Sequence, residues 1–202
     1  SCMARHSRLP RAGVVWILCA LMSFPVWMPL APTVRADYDI NAPASFEASG
    51  VVWHSRLDKL FAVDDGGRVV RMDRDGTNQT LWDVPGDLEG ICVPDPSSDR
   101  LYVGIEYDGG QAKPAIEEFN LTTGMVTRTF YLNLPGATTS AGLEALSFVP
   151  NASHAQGGQF AVGHQGNGDI YFYDIPIVTG GGSGSTYDGN GTIVTNKTDL
   201  AG

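Results

Sequence analysis

Glu89 and Glu144 each stand directly before a small residue at the head of a short apolar stretch, in Leu88-Glu89-Gly90-Ile91-Cys92 and Leu143-Glu144-Ala145-Leu146-Ser147. Three further polar residues, Asp65, Glu106 and His164, each close the apolar stretch that follows such a head. Carboxylates and an imidazole at equivalent places of a repeated unit could converge on a hard cation such as Ca2+, which takes about 6–8 oxygen ligands. Glu89 and Glu144 are therefore the candidate metal ligands, and Asp65, Glu106 and His164 the candidate ligand-binding positions. His164 is also the one candidate for moving a proton. The bland alternative is that these groups only cap backbone or face water at strand ends. The fold decides between the two, by bringing the positions together or keeping them apart.

The unit that carries them occurs three times. It reads from Ser49-Gly50 to Val63-Asp64-Asp65, from Leu88-Glu89 to Ile105-Glu106, and from Leu143-Glu144 to Gly163-His164. Such a unit cannot bury its own apolar face, so the repeats must stack. Inside each, runs rich in β-branched and aromatic residues predict strands at Leu60 to Val63, Val69 to Met72, Leu101 to Ile105, Ile116 to Phe119, Val126 to Leu132, Phe160 to Val162 and Ile170 to Tyr173. Turns such as Asp65-Gly66-Gly67, Asp75-Gly76 and Thr123-Gly124 separate them, and no segment keeps a helical apolar period. The expected fold is all-β: a β-propeller of four-stranded antiparallel blades, with about three blades in residues 49–178. Propellers close with typically 4–8 blades, so the ring is expected to be incomplete. In that geometry Ser49, Glu89 and Glu144 would form one ring around the channel. Asp65, Glu106 and His164 would form another at the far end of the innermost strand.

Both ends of the chain differ in character. Arg5, Arg8 and Arg11 precede an apolar run from Val14 to Leu30, and Val34-Arg35-Ala36 suits a signal peptidase, so residues 1–36 read as a signal peptide. The expected location is secreted, periplasmic or cell-surface, with no stable membrane insertion after cleavage and an uncleaved anchor as the minority alternative. Residues 37–48 read as a lead-in segment. Residues 179–202, with Gly180-Gly181-Gly182-Ser183-Gly184-Ser185, read as a Gly/Ser-rich loop or a truncated segment.

Charge and cysteine content narrow the partners. Past the leader, nine basic side chains face 22 acidic ones, a net of −13. Nucleic acid, which needs a basic face, is excluded by that balance. A small-molecule or carbohydrate ligand, or a cation, suits it better. Cys92 is the one cysteine outside the leader, sits in an apolar stretch and reads as an inert core residue. Trp53 and Trp82 read as packing residues, with carbohydrate stacking as the alternative if either is exposed at a rim. Five Asn-x-Ser/Thr sequons begin at Asn78, Asn120, Asn151, Asn190 and Asn196. There is no Gly-x-Ser-x-Gly elbow, no His-Glu-x-x-His helix and no phosphate-cradling Gly-Lys loop.

The phrases "DLEGI" and "GLEAL", followed by the "LYVG" and "FAVG" strands, resemble the SdiA-regulated family of exported β-propellers. More distantly they are similar to esterase-like phytases and to calcium propellers of the gluconolactonase and strictosidine synthase type. The resemblance spans about Ser49 to Ile175 and implies a six-bladed ring with a cation at the channel. It implies a ligand role for Glu89 before Gly90, and for Glu144 with Ala145 in place of the glycine. The first unit departs from the pattern, with Ser49 where the acid would stand. Three functions remain open: a calcium-binding ligand-binding or scaffold module, a calcium-dependent esterase, lactonase or phosphoester hydrolase, and a cell-surface adhesion module.

Overall fold

Runs of β-branched and aromatic residues between Gly- and Asp-rich turns form thirteen strands and, among the described residues, no helix. The computed structural model describes residues 45–181, 184 and 186–195. The expected signal peptide, the lead-in segment up to residue 44 and the Asn196 sequon lie outside the described residues. No helix of the described residues is long and apolar enough to cross a membrane.

The first sheet is an antiparallel meander of β1 (Ala48–His54), β2 (Lys59–Asp64), β3 (Arg68–Met72) and β4 (Thr80–Asp83), in that order. The second repeats it with β5 (Leu88–Cys92), β6 (Arg100–Asp108), β7 (Lys113–Asn120) and β8 (Met125–Asn133). The third begins with β9 (Leu143–Pro150), β10 (Gly158–His164) and β11 (Ile170–Tyr173). Every strand expected from composition is present, and the all-β expectation holds.

The tail departs from expectation. Residues 179–202 were expected as loop or truncated segment, yet they supply β12 (Thr186–Asn190) and β13 (Thr192–Thr195). β13 pairs antiparallel with β11 and completes the third sheet as its fourth strand. β12 pairs parallel with β8, so the second sheet has five strands rather than four antiparallel ones. An edge strand exposes unpaired backbone groups, and the tail covers that edge of β8.

Alternation along the strands builds two cores from one second sheet. Leu101, Val103 and Ile105 of β6 join Phe61, Val63, Val69 and Phe119 in a cluster shared with the first sheet. Tyr102, between them, turns the other way and meets Phe130, Leu143, Phe160 and Val162 in a cluster shared with the third. The three sheets therefore stack through their faces. Their first strands come closest: a Cβ on Gly50 would lie 2.9 Å from Gly90 Cα, and one on Gly90 would lie 2.7 Å from Leu146 Cβ. Only glycine allows that approach. Trp82 serves packing, edge-on to Phe119 at 5.5 Å with the Arg71 guanidinium over its ring. Trp53 lies under the Arg74 guanidinium at 4.6 Å.

A buried ion pair locks the outer part of the second sheet. Glu118 and Arg128 are 1% and 4% exposed and bonded to each other, and Tyr102 donates to the same carboxylate at 2.7 Å. Arg128 also donates to the carbonyls of Ile177 at 2.7 Å and Pro176 at 3.3 Å. The chain leaving β11 is thereby tied to the second sheet.

Candidate functional site: a carboxylate cluster at one end of the sheets

A register break occurs at the same place in each first strand: between Ala48 and Gly50, between Leu88 and Gly90, and between Leu143 and Ala145 opposite Gly163/His164. The extra residues are Ser49, Glu89 and Glu144. A bulge re-aims a side chain out of the normal alternation, and here it does so at the three equivalent polar positions. The two glutamates escape the buried faces that their neighbours Leu88 and Leu143 occupy.

The two expected rings lie at one end. The strands of each leading hairpin run antiparallel, so the end of β2 returns beside the start of β1, and likewise for β6 with β5 and β10 with β9. Asp65 consequently meets Ser49, whose Oγ donates to Asp65 Oδ1. His54, rather than Asp65, occupies the far end of β1.

Four of the five predicted residues converge there, together with Asp87. Ligand atoms of Asp65, Asp87 and Glu89 all lie within 4.8 Å of one another. Burial pushes the Glu89 carboxyl up to about 7, and the charges of Glu144, Asp65, Asp87 and Glu106 push in the same direction. Burial also raises Glu106, which is 8% exposed, and its hydrogen bond to the neighbouring Asp87 and the charge of that residue add to this. Gly142 opposes the shift with a backbone N–H aimed at Glu106. Asp87 Oδ1 is buried and finds no hydrogen-bond partner among the described residues.

His164 does not join the cluster. Its side chain lies on the β10 face of Phe160 and Val162, is 3% exposed, and accepts a hydrogen bond at Nδ1 from Gly166 N–H at 2.8 Å. Pairing shows why the expected equivalence fails by one residue. Gly50 faces Val63, Gly90 faces Gly104 and Ala145 faces Gly163. The residues two further on are Asp65, Glu106 and Gln165, while His164 matches Asp64 and Ile105. Asp64 is likewise buried, holding Arg68 through its carboxylate.

Asp87 escaped the sequence reading because, although it opens the phrase DLEGI, its counterpart in GLEAL is Gly142, so repetition did not mark it as a recurring acid. Its signal is positional. Glu106 N–H donates to Asp87 O at 2.9 Å, and Gln165 N–H donates to Gly142 O at 3.1 Å, so Asp87 and Gly142 are equivalent residues of successive units. A carboxylate at this place therefore belongs to the second unit and not to the third.

The cluster's chemistry is that of hard oxygen donors. The groups that act most on Glu89 after burial are all acidic, so no side-chain cation neutralises it to a comparable degree. The donor set fits a hard divalent cation of the calcium type: carboxylates from two hairpin ends, Asp87 Oδ1 without a partner, and no thiol or imidazole among them.

No family model matches the chain, and no curated protein matches it. Among solved structures it is similar to an auxiliary nutrient binding protein from Bacteroides thetaiotaomicron, at 18% identity and a TM-score of 0.41. That similarity covers 62% of this chain, and the chain spans 33% of the length of that protein.

Proposed function

We propose that the chain is a cation-dependent ligand-binding module of propeller type, related to the SdiA-regulated exported β-propellers, with calcium held by the carboxylate cluster. The observation that carries this is the meeting of Asp65, Asp87 and Glu89 within 4.8 Å of one another, with Glu106 and Glu144 close enough for the acidic charges to raise the Glu89 and Glu106 carboxyls. Like charges so placed destabilise the fold unless something positive is bound between them. Glu89, Asp87 and Asp65 would hold the cation, with Glu106 and Glu144 beside them. Bound there, calcium would neutralise the cluster and offer open coordination positions to an oxygen-bearing small molecule or carbohydrate. The three stacked sheets, each built on an antiparallel meander and each contributing to one end, support the blade-like organisation that this function needs.

The test is calcium titration of the chelator-treated protein, followed by melting temperature and calorimetry. Calcium should raise the melting temperature, and Glu89→Gln with Glu144→Gln should remove that rise. Equal stability with and without calcium, with no heat of binding, would sink the proposal.

A further inference from the structure

Gln165 stands where the first two units carry Asp65 and Glu106, and it bridges two sheets. The second-sheet Glu106 lies within reach of its side chain. With both neighbouring groups being acceptors, the Gln165 amide turns its nitrogen toward them, 3.2 Å from Glu106 Oε1 and 3.0 Å from the Ser140 carbonyl. Its own backbone N–H is fixed to Gly142 O at 3.1 Å. Gly142, in turn, packs so closely on Glu106 that any Cβ there would overlap the Glu106 carbonyl oxygen. Glu106 is thus gripped from the third sheet, and its own backbone N–H donates to Asp87 O at 2.9 Å.

That bond ties Glu106 to the residue that carries the unpartnered atom of the cluster. Asp87 Oδ1 is buried without a hydrogen-bond partner, and the Asp87 carboxyl leans on Glu106. Where Asp87 sits therefore depends on where Glu106 sits, and Glu106 is placed by Gln165 and Gly142. An amide does this without adding charge. A third acid in the row would instead repel Glu106, as its neighbours already do.

We propose that Gln165 is a positioning residue for the cation site: its amide holds Glu106 across the boundary between the second and third sheets and so presents Asp87 to the bound ion. This rests on the cation-binding function proposed above. Groups that orient metal ligands in this way typically change affinity by about 10–100-fold when removed.

The experiment is a double-mutant cycle on the full chain, with calcium affinity measured by calorimetry for wild type, Gln165→Met, Glu106→Gln and the double variant. Gln165→Met keeps the length and removes the donor. It should weaken calcium binding by about tenfold or more, while the melting temperature in chelator stays close to wild type. In the Glu106→Gln background the same change should have little further effect, because its route of action is gone. Wild type that binds no calcium overturns the cation site itself. Wild type that binds, with Gln165→Met equal to it or additive with Glu106→Gln, leaves the cation site standing and overturns the role of Gln165. A Gln165→Met that loses melting temperature in chelator and affinity alike, with additivity, marks a merely structural residue and also overturns it.

Discussion

Glu106 and Gln165 are the same residue of two consecutive units: each donates its backbone N–H to the residue two before the bulge, Glu106 to Asp87 O at 2.9 Å and Gln165 to Gly142 O at 3.1 Å. The equivalence explains the asymmetry of the cluster. Where the second unit has an acid pair, Asp87 and Glu106, the third has Gly142 and Gln165, which close on Glu106 as hydrogen-bond donors. The acidic charge is thereby concentrated on the second sheet, with Asp65 and Glu144 flanking it from either side.

A pH dependence with a definite sign follows from Glu89. Its carboxyl has an ordinary value of 4.5 and is raised to about 7 in the fold, by burial first and by acidic neighbours second. A raised group stabilises the folded state fully below its unfolded value, and that contribution is lost as pH rises through the folded value. In calcium-free buffer the melting temperature should therefore fall between about pH 4.5 and 7 through this residue. Glu106, raised in the same direction, adds to the fall. Thermal melts of wild type and Glu89→Gln across this range check it. An unchanged slope in the variant would show that Glu89 is not strained in the fold.

Gly142→Ala should disturb the site more than an ordinary loop substitution. The new methyl would overlap the Glu106 carbonyl oxygen, which is backbone and cannot swing aside. A shift of this kind typically costs about 1–3 kcal/mol. Urea melts should show that loss, together with weakened calcium binding because Glu106 must move. Gly109→Ala, where a Cβ meets nothing within 4 Å, serves as the control and should change neither.

The strands were legible because β-branched and aromatic runs between Gly and Asp turns have few alternatives to a half-buried sheet. Asp65, Glu89, Glu106 and Glu144 were legible because repetition marks position without any knowledge of distance. The same device misplaced His164. A bulge shifts the pairing by one residue, and apolar periodicity cannot show which residue is the extra one until the strands are paired. β12 was illegible for another reason: short, without an apolar run and preceded by a Gly/Ser-rich stretch, it follows the edge of β8 in parallel rather than any pattern of its own. Asp87 opens the phrase DLEGI, but its counterpart in GLEAL is Gly142, so repetition did not single it out, and its place in the cluster shows only once the strands are paired.

Cys92 should be chemically silent in the native protein. It is 6% exposed and burial pushes its thiol well above the ordinary range, so thiolate is scarce at neutral pH. A thiol reagent such as an aromatic disulfide should leave the folded protein unlabelled and react with one equivalent from residue 92 once denaturant is added. Fast labelling of the native state at that residue would mean that the second sheet opens from the third.

The Glu118–Arg128 pair should be costly to break and cheap to replace. Burial alone would raise the Glu118 carboxyl, but bonds from Arg128, Thr127 and Tyr102 outweigh it and hold the group below its usual range. Removing Arg128 leaves the buried Glu118 carboxylate with only the half-exposed Arg100 at 3.4 Å as a cationic partner, and breaking a buried pair typically costs about 3–5 kcal/mol. Arg128→Met also frees the carbonyls of Pro176 and Ile177, so the segment after β11 should loosen. Faster amide exchange at Tyr187 to Asn190, where β12 pairs with β8, is the expected local sign. Combining Arg128→Met with Glu118→Leu removes both charges, and the double variant should recover part of the loss in urea melts. Full additivity of the two losses would show that the residues act separately, and that the tie between the third sheet and the edge of the second does not run through this pair.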